Sequence, residues 1–249
     1  MPIYDPTRIE YPITNGHISI VMDGGAQLPA YWSHPARGNR FPGIALIHDW
    51  WGVNEGVRRI AHLFAQMGYY VIVPDLYGGR VAANAQEAMA LVQALGDGGY
   101  PRIHAALTVL EKHHQCNADV AAVGLGMGGS LAFEAALTRP DLEAAVAFGG
   151  FPQRYFGRFA QSHAPILAIY GSREPYITAP AVAKLRAELD KSPQFTHQVA
   201  VIEGAGHEFF NDNDPISLDY GRQAWRLMTD FLEKYLQGPL HPSLHHAKK

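Results

Sequence analysis

An internal disulfide is excluded at once, because the chain has a single cysteine, Cys116. It has no run of 18 or more apolar residues, so no transmembrane helix is expected. It has no excess of positive charge: the net charge is −3, which argues against a partner such as nucleic acid or an anionic membrane surface. The amino-terminal stretch "MPIYDPTRIEY" lacks an apolar core and does not read as a signal peptide. Internal repeats and low-complexity linkers are also missing. These absences lead to the expectation of a cytoplasmic protein, monomer or dimer, that handles a small-molecule substrate or ligand.

Histidine, by contrast, is plentiful, with 13 among 249 residues. His113-His114 and His245-His246 are adjacent pairs, and neighbouring side chains point to different faces, so each pair is a poor chelator. No metal site is expected. The tail over residues 238–249, which ends in "PLHPSLHHAKK" from Pro239, reads as flexible rather than metal-binding.

The order of elements sets the fold class. "NGHISIVMDGG" from Asn15 and "LPAYWSHP" from Leu28 read as a hairpin bent at Asp23-Gly24-Gly25. "FPGIALIH" from Phe41, "YYVIVP" from Tyr69, "DVAAVGLG" from Asp119, "EAAVAFGG" from Glu143, "PILAIYGS" from Pro165 and "HQVAVIEGAG" from His197 read as buried strands. Helical patterns begin at Glu55, Ala83, Pro101, Gly128, Ala179 and about Pro215. Ile60, Leu63, Phe64 and Met67 share a face of the first helix, and Gly68 closes it. Apolar strands alternating with helices predict an α/β chain: a mainly parallel, mixed sheet of about 7–8 strands with helices on both faces. One domain is expected over 1–249, with its core at about 15–236. Ligands bind such sheets at the carboxyl ends of the strands, which selects loops 48–54, 75–80, 124–129, 171–176 and 204–211.

Those loops carry most of the chemistry. "GLGMG" from Gly124 has the G-x-nucleophile-x-G form of a nucleophile elbow, with Gly126 in the middle. The turn offers the Met127 N–H at a helix start as an oxyanion donor, and the N–H of Trp50 is the expected second donor. Glu174 follows one strand and His207 the last strand. Nucleophile position, acid and histidine then run in the chain order of α/β-hydrolases. Each residue alone is bland: a glycine turn, a loop acid, a loop histidine. The three together, each past a strand end, are more specific. A dinucleotide loop is the competing reading, since Gly124, Gly126 and Gly129 satisfy G-x-G-x-x-G. That motif belongs after the first strand, with an acid ending the next one, whereas Glu143 begins a strand. No cofactor is expected.

The chain resembles the dienelactone hydrolase family. The resemblance runs from about Asn15 to Leu236 and rests on "LIHDWWGVNEGVRRIAHLFAQMGYYVIVPDLYGGR" from Leu46, "VGLGMGG" from Val123, "YGSREPY" from Tyr170 and "GAGHEFFND" from Gly204. It implies cofactor-free hydrolysis of a small ester or lactone through a Cys-His-Asp triad. The family's cysteine falls at Gly126, its aspartate at Glu174 and its histidine at His207. The glutamate beside its nucleophile falls at Asp49, for which a buried contact to His48 or Arg80 is an equal reading. An arginine that grips the substrate carboxylate falls at Arg80, displaced by one residue. A second falls near Asn211, which cannot supply that charge, so the usual dienelactone substrate is not implied.

Glycine occupies the strained elbow conformation freely, so the fold is expected to survive without the thiolate. No substitute nucleophile stands out. Ser130, one turn down the helix, should point away from the site. Cys116 should precede its strand at the far end of the sheet, and Ser172 reads as a turn former. Two functions follow. One is weak hydrolysis, or hydrolysis by a water activated at His207. The other is a non-catalytic pseudo-hydrolase that binds a small anionic ligand through Arg80 and the Met127 helix start. An aromatic rim of Trp50, Trp51, Tyr77, Phe151, Tyr176, Phe209 and Phe210 suits either, and about half of these should be core.

Overall fold

The computed structural model describes residues 11–38, 40–209 and 215–236. The expectations for the amino-terminal stretch, the tail, Phe210 and Asn211 lie outside the described residues. Eight strands and six helices alternate: β1 (Ile13–Val21), β2 (Gln27–Pro35), β3 (Phe41–Ile47), α1 (Glu55–Gln66), β4 (Tyr70–Pro74), α2 (Ala85–Leu95), α3 (Gly99–Lys112), β5 (Cys116–Leu125), α4 (Met127–Thr138), β6 (Ala144–Phe148), β7 (Ile166–Gly171), α5 (Ala179–Leu189), β8 (Gln198–Ile202) and α6 (Pro215–Tyr235). The strands form one sheet in the order β1-β2-β4-β3-β5-β6-β7-β8. β2 pairs antiparallel with both β1 and β4, and every other pairing is parallel. This is an α/β-hydrolase fold.

The continuous apolar runs explain the layering. β3, β4, β6 and β7 are buried along their whole length, as strands covered on both faces must be. Alternate residues then feed two cores. Ala45, Ile47 and Ile72 join Leu91, Leu107 and Phe133 of α2, α3 and α4. Ile44, Leu46, Val71 and Val73 join Phe64 of α1 and Trp225 and Phe231 of α6. Helices α1 and α2 therefore lie on opposite faces of the sheet.

Local signals fix the first helix. The Asn54 side chain accepts a hydrogen bond from the Val57 N–H, Glu55 sits in the first turn, and Gly68 (φ +93°) lets the chain leave. Its buried face is Val57, Ile60, Ala61, Phe64 and Ala65; Leu63 is only partly buried.

Three expectations need correction. β8 is an edge strand with only Ile202 buried, because nothing pairs beyond it. Cys116 opens β5 rather than preceding it, and lies buried opposite Phe41 at the amino-terminal end of the strand. Short 3-10 turns at Gly96–Gly98, Gln153–Tyr155 and Phe159–Gln161 were not anticipated, being too brief for any periodic pattern.

The β5–α4 junction is the tightest crossing. A Cβ on Gly124 would overlap the carbonyl group of Gly128, so strand and helix meet only through glycine there. Gly126 forms the turn itself at φ +52°, ψ −113°, with its N–H donating to Phe148 O (2.8 Å). A Cβ on Gly126 would meet nothing nearer than 3.6 Å. Gly124→Ala should therefore cost about 3 kcal/mol or more, because backbone must move. Gly126→Ala should cost less, only the strain of a non-glycine residue in this sparsely populated backbone region, about 1–3 kcal/mol. Denaturant midpoints of the two variants check this; equal losses would contradict the junction.

Candidate active site

The parallel strands end on one rim, and their loops bring Glu174 and His207 together. Glu174 leaves β7 with its side chain 3% exposed. One carboxylate oxygen accepts the Tyr176 N–H (3.0 Å), and the other faces His207 Nδ1 at 2.7 Å. With Nδ1 donating to the carboxylate, the neutral imidazole presents Nε2 as an acceptor. The His207 ring packs edge-on to Tyr176 (5.1 Å, 87°) and beside Phe151 (6.1 Å). It also lies against the backbone of Gly149 (φ +56°), where a Cβ would come within 2.9 Å of the ring. Gly149 was missed by sequence reading; its signal was the Gly-Gly pair closing "EAAVAFGG".

The free edge of His207 faces Gly126. A Cβ there would stand 3.6 Å from Nε2 and 3.7 Å from the Asp49 Cβ. Asp49 follows β3, and one of its carboxylate oxygens accepts the Trp51 N–H at 2.9 Å. Burial pushes its pKa up to about 6; the Trp51 N–H and His207 oppose the rise and the Glu208 charge adds to it. The Asp49 carboxylate has neither His48 nor Arg80 as a hydrogen-bond partner. His48 instead pins two loops: its Nε2 accepts the Leu76 N–H (3.1 Å), so its Nδ1 donates to the Asp49 carbonyl (2.6 Å). Burial holds the His48 pKa below its ordinary value, which favours this neutral form.

Asp49, Gly126 and His207 open into a cavity of about 870 Å³, within the range of ligand pockets. Trp50, Trp51, Met127, Phe151, Tyr176 and Phe209 line it. Met127 opens α4, so its N–H has no acceptor within the helix. The Trp51 N–H is taken by Asp49, which leaves Trp50 as the neighbouring donor on that loop.

Three placements differ from expectation. Arg80 is exposed and outside the cavity lining. Tyr77 is buried behind the wall, its hydroxyl donating to Met127 Sδ (3.4 Å) and its ring edge-on to His48. Ser130 lines the cavity, because four residues beyond Gly126 is the same helical face. Its Oγ accepts the Phe151 N–H (2.9 Å) and so positions a wall of the cavity. Ser172 is a turn former: it donates to Glu203 and accepts the Gly204 N–H. Sequence reading missed Ile60, Met89, Val92, Arg59 and Glu208 as lining residues. The first three carried only an apolar helix signal.

Among the described residues, no three His, Cys, Asp or Glu side chains are grouped to hold a metal ion. No helix there is long and apolar enough to cross a membrane.

Comparisons with known proteins bear on the family and the fold. The Protein usf of Aquifex pyrophilus is 27% identical over 223 residues, covering 85% of this chain and 95% of that one. A putative carboxymethylenebutenolidase of Methylorubrum extorquens is 25% identical over 237 residues, covering 88% and 81%. Among solved structures, a putative dienelactone hydrolase from Klebsiella pneumoniae superposes with a TM-score of 0.77 at 22% identity, covering 90% of this chain and all of that one. A dienelactone hydrolase-like promiscuous phosphotriesterase from metagenomic libraries gives 0.78 at 19%, covering 90% and 99%. Both structural likenesses establish the fold. The model of the dienelactone hydrolase family matches residues 28–236, a span that holds Asp49, Gly126, Glu174 and His207 together, and the chain belongs to that family.

Proposed function

We propose that this chain hydrolyses an ester or lactone by direct attack of water, with Gly126 standing where the family carries its nucleophile. The observation that carries this reading is the Glu174–His207 pair at 2.7 Å, with Nε2 turned toward a Cβ position 3.6 Å away on Gly126. A water between the two attacks the carbonyl carbon and gives its proton to Nε2. The oxyanion forms against the Met127 and Trp50 N–H groups. The carbon–oxygen bond to the leaving group then breaks, and His207 returns the proton to the departing alkoxide. Glu174 holds the ring and stabilises the imidazolium. Asp49, ionised above pH 6, is a second acceptor for the water proton.

The expected power is modest. An enzyme of this kind without its nucleophile keeps ~10³–10⁴-fold acceleration from oxyanion stabilisation and binding. The alternative, a pseudo-hydrolase for a small anionic ligand, loses support because Arg80 lies outside the cavity.

Hydrolysis of 4-nitrophenyl acetate by the protein, beside His207→Ala and Gly126→Cys, tests the reading. The protein should turn over slowly, His207→Ala should lose about tenfold or more, and Gly126→Cys should gain about 100-fold or more. A rate unchanged by His207→Ala would remove the histidine from the mechanism.

Asp49 gives a separate prediction. Its folded-state pKa is raised from 3.8 to about 6, so the native state holds the proton more tightly. Stability therefore falls as pH rises from about 4 to about 6, and the full cost of the buried carboxylate is present above that window. Asp49→Asn keeps an acceptor for the Trp51 N–H and should stabilise the fold by about 1–2 kcal/mol at pH 8. That gain should shrink as pH drops toward 4. Thermal unfolding of both proteins across pH checks it; a gain independent of pH would disprove the assigned shift.

A further inference from the structure

We infer that the cavity takes an uncharged ester or lactone with two apolar arms, one reaching over each face of the sheet, and disfavours carboxylate-bearing compounds. The orientation rests on the reading above, which puts the reacting carbonyl at Gly126; the binding does not.

The two arms follow from which helices supply the walls. Val57 and Ile60 of α1 line the cavity with Phe148 and Phe209, and all four belong to the core on the α1–α6 face. Val92 of α2 lines it with Trp50 and Met127, and these pack on the opposite core. Met89, one turn before Val92, extends that wall to the surface at 48% exposure. A single cavity bounded by α1 and α2 must cross the carboxyl rim of the sheet, since those helices cover opposite faces. Gly126 and His207 sit at the crossing. A compound with its carbonyl there has one apolar wall for its acyl side and another for its alcohol side. At about 870 Å³ the space exceeds what a small lactone fills.

Charge sets the second half of the inference. Among the described residues, the charged lining residues are Asp49, Glu55 and Glu208 against Arg59, three acids to one base. Glu208 and Asp49 already repel each other across the site. A substrate carboxylate entering beside them would add a third like charge in a partly desolvated space, and like-charge juxtaposition of this kind disfavours binding. The cavity thus has apolar area to offer and no surplus positive charge.

Binding of three matched probes tests this without needing turnover: methyl benzoate, benzyl benzoate and monobenzyl phthalate. The first has one aromatic arm, the second two, and the third two arms plus a carboxylate. Quenching of the cavity tryptophans reads each affinity. Benzyl benzoate should bind about tenfold or more tighter than either of the others. Glu208→Gln should narrow the gap between monobenzyl phthalate and benzyl benzoate. Val92→Phe and Ile60→Phe, each verified folded by circular dichroism, should each weaken benzyl benzoate more than methyl benzoate, whose single arm can use the wall left open. Equal binding of the one-armed and two-armed esters, equal binding of the carboxylate, or no binding of any probe would overturn the inference. The probe series decides even where a variant fails to fold. If the binding pattern holds but Gly126→Cys hydrolyses none of the esters, the hydrolytic reading falls and the ligand class stands.

Discussion

The site depends on how closely β5 can approach α4. Gly124 lets strand and helix backbones touch, and that contact forces the chain to reverse within one residue, Gly126. The reversal lies mid-sheet, between β3 and β6, so the loops of both neighbours meet it. Asp49 arrives from β3, Gly149 from β6, and His207 closes over the turn from the end of β8. A side chain on Gly124 would push α4 outward and carry the Met127 N–H with it. One short contact between backbones thus sets the position of every group around the proposed reaction centre.

Around that turn the protein manages three buried polar groups in different ways. Glu174 places one oxygen on a backbone N–H and the other on His207. Asp49 meets the Trp51 N–H, but burial outweighs it and raises the pKa to about 6. His48 is neutral and donates and accepts within the backbone, joining the ends of β3 and β4. Loss of water is the largest cause at both Asp49 and His48, and it moves each toward its neutral form.

Much of this was legible in the sequence, and the pattern of misses has a physical cause. Apolar runs marked the strands of the covered sheet, and the helical pattern from Glu55 with its closing Gly68 bounded α1, whose Asn54 cap was not read. Chain order placed Glu174 and His207 at strand ends, since that inference needs only the direction of parallel strands. Arg80, Tyr77 and Ser130 went astray because each depends on a side-chain direction set by tertiary packing. Ser130 was recoverable: the spacing from Gly126 is the helical i,i+4 relation. The edge exposure of β8 was not, because its neighbour on the far side is missing only in three dimensions. Ile60, Met89 and Val92 have the apolar periodicity of any core-facing helix, and nothing local distinguishes a residue facing a cavity from one facing a partner.

The persistence of the cavity separates two explanations of Gly126. Glycine at φ +52° relieves backbone strain of about 1–3 kcal/mol, so its presence alone favours stability. The Glu174–His207 pair also has a structural role, because a carboxylate exposed to only 3% would be costly without its histidine. Neither feature needs function to explain it. An open cavity of about 870 Å³ with apolar walls is different. Its lining forfeits dispersion contacts and burial that a collapsed site would recover. A fold relaxing toward stability alone would fill that space with larger side chains at Val92 or Ile60. An opening over the His207–Gly126 gap is what the proposed ligand binding requires.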